Sequence, residues 1–184
     1  MRLVRRRARV VLETERLRLR EMLLADLPFV ASMLAHSEVM RYWPRCYTRD
    51  EAAAWVRRQR ERYRRDGYGY WLVLEKVSGD PVGQAGLLMC DVEGRSQVAL
   101  GYIIHQPFWG RGYGAEAAAA CLTWGLRQAA QERIIALIRP ENLPSRRVAE
   151  AIGMANEGSA MYEGFWHLLY AAPQSRAQPD KGAC

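Results

Sequence analysis

The sequence predicts a mixed α/β fold, one sheet with helices on both faces, and three observations carry that prediction. Strand-like and helix-like stretches alternate through the 184 residues instead of segregating into separate halves. The turn Trp109-Gly110-Arg111-Gly112-Tyr113-Gly114-Ala115-Glu116 joins a strand pattern directly to an alanine-rich helix. Residues 133–138 then form a short apolar run of the kind that is buried on both faces of a sheet.

Each element follows from local chemistry. Leu12, Leu17 and Leu19 among Glu13, Arg16, Arg18 and Arg20 read as one half-buried strand. Asp26 is placed to cap a helix over 27–35, and Trp43-Pro44 breaks the chain. Thr48-Arg49-Asp50-Glu51 has the form of a capping box, which predicts a helix to about residue 65, ended by Asp66-Gly67. Residues 70–75 are strand formers. Ser78-Gly79-Asp80-Pro81 is turn chemistry, so 82–89 returns as a hairpin partner. After a second turn over 91–95, residues 97–105 make a third strand, stopped by Pro107. The alanine-rich helix covers 112–130, and a helix over 145–152 ends at Gly153. Strands over 157–162 and 165–171 follow. The strand–helix–strand unit over 97–138 is expected to cross over right-handed. Residues 1–10, with five arginines, read as a flexible arm, 11–172 as a single domain, and 173–184 as a disordered polar tail.

Composition sets broad limits. Hydrophobic residues make up 49% and charged residues 26%, the balance of a soluble domain. No apolar run approaches the ~20 residues of a membrane span, and no apolar signal core follows the N-terminal arginines, so the expected location is cytoplasmic. The formal net charge is +7, and 25 of the 27 basic residues are arginine. That skew suits an anionic ligand or partner, as does a compositional bias of the source genome, and it selects neither nucleic acid nor any other partner. Cys46, Cys90, Cys121 and Cys184 lie far apart without a clustered histidine, so neither a disulfide framework nor a metal site is expected.

The glycine turn is the chemistry-bearing feature. It exposes several backbone N–H groups at the positive end of a helix dipole, which suits a phosphate. Gly110, Gly112 and Gly114 leave room for a diphosphate to approach the backbone, and Arg111 adds a cation. Glycines that merely make a tight turn would give the same pattern. A Walker loop is excluded because no Lys follows the glycines. A dinucleotide fold would need an acidic residue where the next strand ends at Ile138-Arg139, and more than the ~70 residues that remain. Coenzyme A is the third possibility.

Here the residues resemble a known family. The run from Gly101-Tyr102-Ile103-Ile104-His105 through Trp109-Gly110-Arg111-Gly112-Tyr113-Gly114-Ala115-Glu116-Ala117 is similar to the acetyl-CoA-binding core of the GNAT N-acetyltransferase superfamily. Within it, the closest resemblance is to the RimJ/RimL type, which acetylates amino termini of ribosomal proteins. Thr14-Glu15-Arg16-Leu17-Arg18-Leu19-Arg20, the run Asn142-Leu143-Pro144-Ser145, and Gly153-Met154 followed by Glu157-Gly158 resemble further parts of that type in the same order. Trp109 stands where the wider superfamily often has Gln or Arg, and an aromatic residue there is common in the RimJ/RimL type.

The resemblance implies a GNAT fold, a mostly antiparallel sheet splayed between the family's fourth and fifth strands, which fall on 97–105 and 133–138. It implies acetyl-CoA as cosubstrate and no metal. Ile103 and Ile104 would offer backbone groups to the pantetheine arm, with an Ile103 N–H polarising the thioester, and His105 ends that strand beside them. Gly110, Arg111, Gly112, Tyr113, Gly114 and Ala115 would hold the diphosphate, and Arg147 would reach a phosphate. Asn142 would hydrogen-bond pantetheine with either end of its amide, and Ser145 would protonate the departing thiolate. Two positions depart from the family: Ala149 replaces a common Tyr, and Ala99 replaces a Glu often named as general base.

For the acceptor, Trp43 and Glu163 are the candidate residues; Trp43, Trp55 and Trp71 would serve equally as packing, and Glu163 as a solvated turn residue. His36 and His167 show no ligand-like partners in sequence. The expected activity is acetyl transfer to a protein N-terminal α-amino group, with a small amine as the close alternative and a non-catalytic coenzyme A- or RNA-binding module as the alternative of another class. Monomer and homodimer are both compatible with the pattern.

Overall fold

The computed structural model describes residues 8–129 and 131–172. Most of the expected arm, residues 1–7, and the expected tail, 173–184, lie outside the described residues. The first element is a hairpin, β1 (Val10–Glu13) and β2 (Leu17–Arg20). It replaces the single strand expected there. The five-residue step from Leu12 to Leu17 breaks the two-residue period, and Thr14 closes the turn: its Oγ1 accepts the Leu17 N–H at 2.9 Å while its own N–H donates to Leu17 O at 2.9 Å. Arg9, placed by sequence in the expected arm, is already tied to the sheet edge, where its O accepts the Glu21 N–H at 2.9 Å.

Helices α1 (Leu27–Ala35) and α2 (Arg49–Arg65) follow. The capping box of α2 forms as its sequence implies, and Ala52, Trp55, Val56 and Gln59 are the buried stripe. Strands β3 (Tyr70–Glu75), β4 (Pro81–Val92) and β5 (Arg95–Ile104) meander antiparallel, the last two joined through Glu93 and Gly94, both at positive φ. Then come α3 (Tyr113–Arg127), β6 (Ile134–Ile138), α4 (Leu143–Ala151), β7 (Ala155–Tyr162) and β8 (Phe165–Ala171). Among the described residues, eight strands lie in the order β1-β2-β3-β4-β5-β6-β8-β7, and only β5 and β6 run parallel.

Helices cover both faces. Leu17, Leu19, Trp71, Val73 and Leu87 pack against Ala117, Ala118 and Cys121 of α3, with Trp71 edge-on to Trp124 at 4.9 Å. Tyr70, Leu72 and Ile103 pack on the opposite face against Val30, Met33, Ala52 and Val56 of α1 and α2. The sheet therefore separates the α1/α2 layer from the α3/α4 layer. Among the described residues, no helix is long and apolar enough to cross a membrane.

β4 and β3 approach so closely that only glycine fits at Gly86: an added Cβ would meet Gly69 O at 1.9 Å. Gly86→Ala is expected to cost about 2–3 kcal/mol and to lower Tm by about 5–10 °C in a calorimetric melt, because the neighbour it strikes is backbone.

Candidate active site

The site begins where a ladder stops. β5 pairs with β4 along its whole length, from Arg95 to Ile104, but with β6 only at Val98↔Ile134 and Ala99↔Ile135. On its far side β6 stays paired with β8 from Ile135 to Ile138. Beyond Ala99, β5 and β6 part, and a cavity of about 400 Å³ occupies the gap, lined from both faces of the sheet.

Register decides which backbone groups face it. His105 donates its N–H to Val82 O, and odd-numbered residues of β5 continue that bonding to β4. Tyr102 therefore turns its N–H and C=O into the gap, and Ile104 its N–H, while Leu137 faces them from β6 by the same alternation. Ile104 O is already taken: the Trp109 indole N–H donates to it at 2.7 Å, tying the glycine turn to the strand end. Ile103 is corrected on this ground. Its backbone groups are spent on Gln84 and its side chain on the α1/α2 core, so no Ile103 N–H is open to a thioester. His105 is likewise turned away. Its ring packs against Phe29 and His36, at 5.8 and 5.7 Å, and its Nδ1 is buried without a partner.

The glycine turn leads into α3. Gly110 and Gly112 have φ of 75° and 79°, where a side chain would be strained. The Glu116 N–H, donating to Gly112 O, is the first intrahelical donor, so the amides of Tyr113, Gly114 and Ala115 before it have no intrahelical acceptor and stay open. Arg111 is exposed, its guanidinium 5.3 Å from the Phe108 ring centroid. Glu116 in the first turn would repel an anion, but Arg16 neutralises it at 2.6 Å, and Arg16 Nη1 also donates to Arg111 O. The Tyr113 side chain points to the sheet and donates to Glu75, leaving only its backbone for a ligand.

Opposite lies the start of α4. Asn142 caps it, its Oδ1 accepting the Ser145 N–H at 3.2 Å, so the free end of the Asn142 amide is the Nδ2 donor. Ser145 lines the cavity, whereas Arg147 is exposed on α4 outside it. Beside Ser145 is Tyr102, a lining residue to which sequence reasoning gave no role. Its hydroxyl is buried without an aligned partner, and its ring packs on Gly114, where an added Cβ would sit 3.3 Å from Tyr102 Cε2. Burial pushes this phenol up to about 12 against the opposing pull of the Ser145 hydroxyl, so it is neutral and can donate.

The α1/α2 side of the cavity is aromatic, with Trp43, Tyr47 and Trp55 in edge-on contact. Trp55 also donates to buried Gln84 at 3.0 Å, while Trp71 is core and does not line this cavity. The β7–β8 turn brings in Glu163, at φ 47°, and β8 brings in His167. Phe165 O lies 2.9 Å from His167 Nδ1; a carbonyl only accepts, so Nδ1 carries the proton and Nε2 keeps its lone pair in the neutral ring. Burial holds His167 below the usual histidine range, as does Arg139, while Phe165 O, Glu163 and Glu141 oppose. Ala99, where the resemblance leaves no carboxylate, lines the same cavity. The parity of β8 sets His167 on the same face of the sheet as Leu169, a signal that needed the strand pairing to be read.

Residues 16–155 match the family model of the acetyltransferase (GNAT) domain. YkkB of Bacillus subtilis strain 168, an uncharacterized protein, is 33% identical over 148 residues, covering 80% of this chain and 86% of its own length. The uncharacterized N-acetyltransferase YnaD of the same organism is 31% identical over 146 residues, covering 79% and 82%. The acetyltransferase of Agrobacterium tumefaciens strain C58 superposes with a TM-score of 0.77 at 26% identity over 89% of this chain and 94% of its own. Two solved structures share the fold alone. They are RimL, a ribosomal L7/L12 alpha-N-protein acetyltransferase in complex with coenzyme A (19% identity, TM-score 0.73, 89% and 97% covered), and the aminoglycoside acetyltransferase AAC(6')-Ib (16%, 0.73, 86% and 95%).

The cavity wall makes one chemical prediction. Cys46 is exposed, burial pushes Cys90 up to about 11, and buried Cys121 is pushed higher still. Iodoacetamide at about pH 8 is expected to modify Cys46 at least about tenfold faster than Cys90, and Cys121 only after unfolding, as read by peptide mass spectrometry.

Proposed function

The chain belongs to the acetyltransferase (GNAT) family, and from that premise we propose that it transfers acetyl from acetyl-CoA to a primary amine, first of all the α-amino group of a protein N-terminus, in the RimJ/RimL manner. The interrupted β5–β6 ladder carries this reading. Its open amide groups fit the two amides of a pantetheine arm, which would restore the pairing the strands forgo. The open amides at 113–115 fit a diphosphate at the head of α3. Asn142 Nδ2 would hold pantetheine, and Arg111 and Arg147 would meet phosphates.

Acetyl-CoA, when bound, supplies a thioester carbonyl and a thiolate that must gain a proton. The Tyr102 and Ile104 N–H groups are fixed donors for the oxygen of that carbonyl. His167 Nε2 takes the proton from the amine, in place of the carboxylate that Ala99 lacks. Ser145 returns a proton to sulfur, with the Tyr102 hydroxyl behind it as a second donor in place of the tyrosine that Ala149 lacks. Glu163 faces the incoming ammonium. A small amine would use the same coenzyme half, and the fold is shared by proteins named for either kind of acceptor.

Acetyl-CoA titrated into the protein by calorimetry is expected to bind between roughly 1 µM and 1 mM, and a thiol-release assay with peptides and small amines should show acetyl-dependent turnover. No binding heat would sink the reading. Ser145→Ala and Tyr102→Phe should each lower kcat about tenfold or more; a loss below about threefold in Ser145→Ala would remove its proton role. The pH profile tests His167. The protonated ring has no lone pair, so rate should fall as pH drops through a value below 6.5. His167→Gln should lose that acid limb along with most activity; an unchanged limb would assign it elsewhere.

A further inference from the structure

The cavity carries charges that acetyl transfer does not use. α2 presents Arg58 and Arg62 to it, one helical turn apart. Neither has a carboxylate partner among the described residues, whereas Arg139 at the same cavity is paired with Glu141 at 3.2 Å. Arg62 is half-buried. Its guanidinium donates to the neutral Gln59 Oε1 at 3.4 Å, an oxygen already accepting the Tyr70 N–H at 3.0 Å. Arg62 makes no ion pair with a carboxylate among the described residues, though its field reaches Asp66 one turn along the helix.

On the opposite wall, Glu163 is the only carboxylate among the described lining residues. Both charges act on the same side chains. Burial raises Cys90 and Tyr162; Arg62 pulls each down, and Glu163 pushes each up. The cavity is therefore polarised, cationic along α2 and anionic at the β7–β8 turn. Arg58 and Arg62 lie on the α1/α2 face of the sheet, and the amide turn at 110–115 heads the helix on the other face, so the pair is separate from the diphosphate site.

We propose that the acceptor is a peptide amino terminus followed by an acidic side chain at its second or third position, with the ammonium toward Glu163 and His167 and the carboxylate on Arg58 and Arg62. This rests on the acetyl-transfer reading and narrows its substrate class. Guanidinium groups suit a carboxylate because they offer paired N–H donors in its plane. The Arg58 guanidinium lies 5.7 Å from the Trp55 ring centroid, which steadies it over the cavity wall. The same pair disfavours polycationic amines, whose second ammonium would meet like charge.

Hexapeptides with a free amino terminus and Asp, Asn or Lys at positions two and three, together with free aspartate, can be titrated by calorimetry into protein saturated with coenzyme A. The same set is then assayed for acetylation with acetyl-CoA. The Asp peptide should bind about tenfold tighter than the Asn peptide, with Lys weakest. That advantage should shrink with salt and vanish in the Arg58→Gln/Arg62→Gln double variant, while Arg62→Lys alone keeps most of it and coenzyme affinity stays unchanged. Equal affinities for Asp, Asn and Lys peptides overturn the inference and leave acetyl transfer standing. Free aspartate binding as tightly as the Asp peptide overturns the peptide identification. Charge-ranked binding without acetylation of any amine keeps the recognition of the acidic peptide but overturns its role as acceptor, together with the catalytic reading.

Discussion

Hydrogen bonding between β5 and β6 ends after two residue pairs, and the surroundings keep it from resuming. β4 holds β5 over ten residues on one side, and β8 holds β6 over four on the other. Each strand is anchored away from the gap, so closing it would mean breaking an existing ladder. The amides of Tyr102, Ile104 and Leu137 must then find water or a ligand, since a buried unpaired amide costs about 1–3 kcal/mol. A sheet with an unfilled central opening is stable only because its opening is wet or occupied, and the proposed pantetheine pairing would meet that condition.

The glycine turn depends on the same strand. Trp109 donates its indole N–H to the last free carbonyl of β5, so the turn cannot drift from the gap it serves. Arg16, in the turn of the first hairpin, reaches across to Arg111 O and neutralises Glu116, and Thr14 donates to the same carboxylate. The N-terminal hairpin thereby stiffens a loop that follows it by almost a hundred residues. Its value lies in positioning: exposed ion pairs of this kind add little to stability, but they fix where the open amides point.

Much of the fold was legible because local signals agreed. The Thr48–Glu51 capping box, the strand over 70–75 and the helix over 27–35 appear where sequence put them, each defined by neighbours within a few positions. What escaped depended on parity and pairing. The hairpin at Thr14 looks like a single strand in sequence because its two halves share a composition, and only the odd step between Leu12 and Leu17 betrays the turn. Ile103 and Ile104 are interchangeable in sequence; which of them faces the gap is set by a bond between His105 and Val82, far apart in the chain. Tyr102 and His167 reach the cavity through the same hidden parity. Glu163 and Trp43 were within reach because turns and aromatic breaks announce themselves, and both line the cavity.

The sheet also divides the molecule. Its α3/α4 face holds the amide turn, its α1/α2 face holds the aromatic and charged walls, and the slot beyond Ala99 is where the two compartments communicate. Reactants arriving from opposite sides need not displace one another to enter or leave. In the proposed transfer neither reactant would then obstruct the other, and the α1/α2 compartment could alter what it admits without disturbing the amide turn behind the partition.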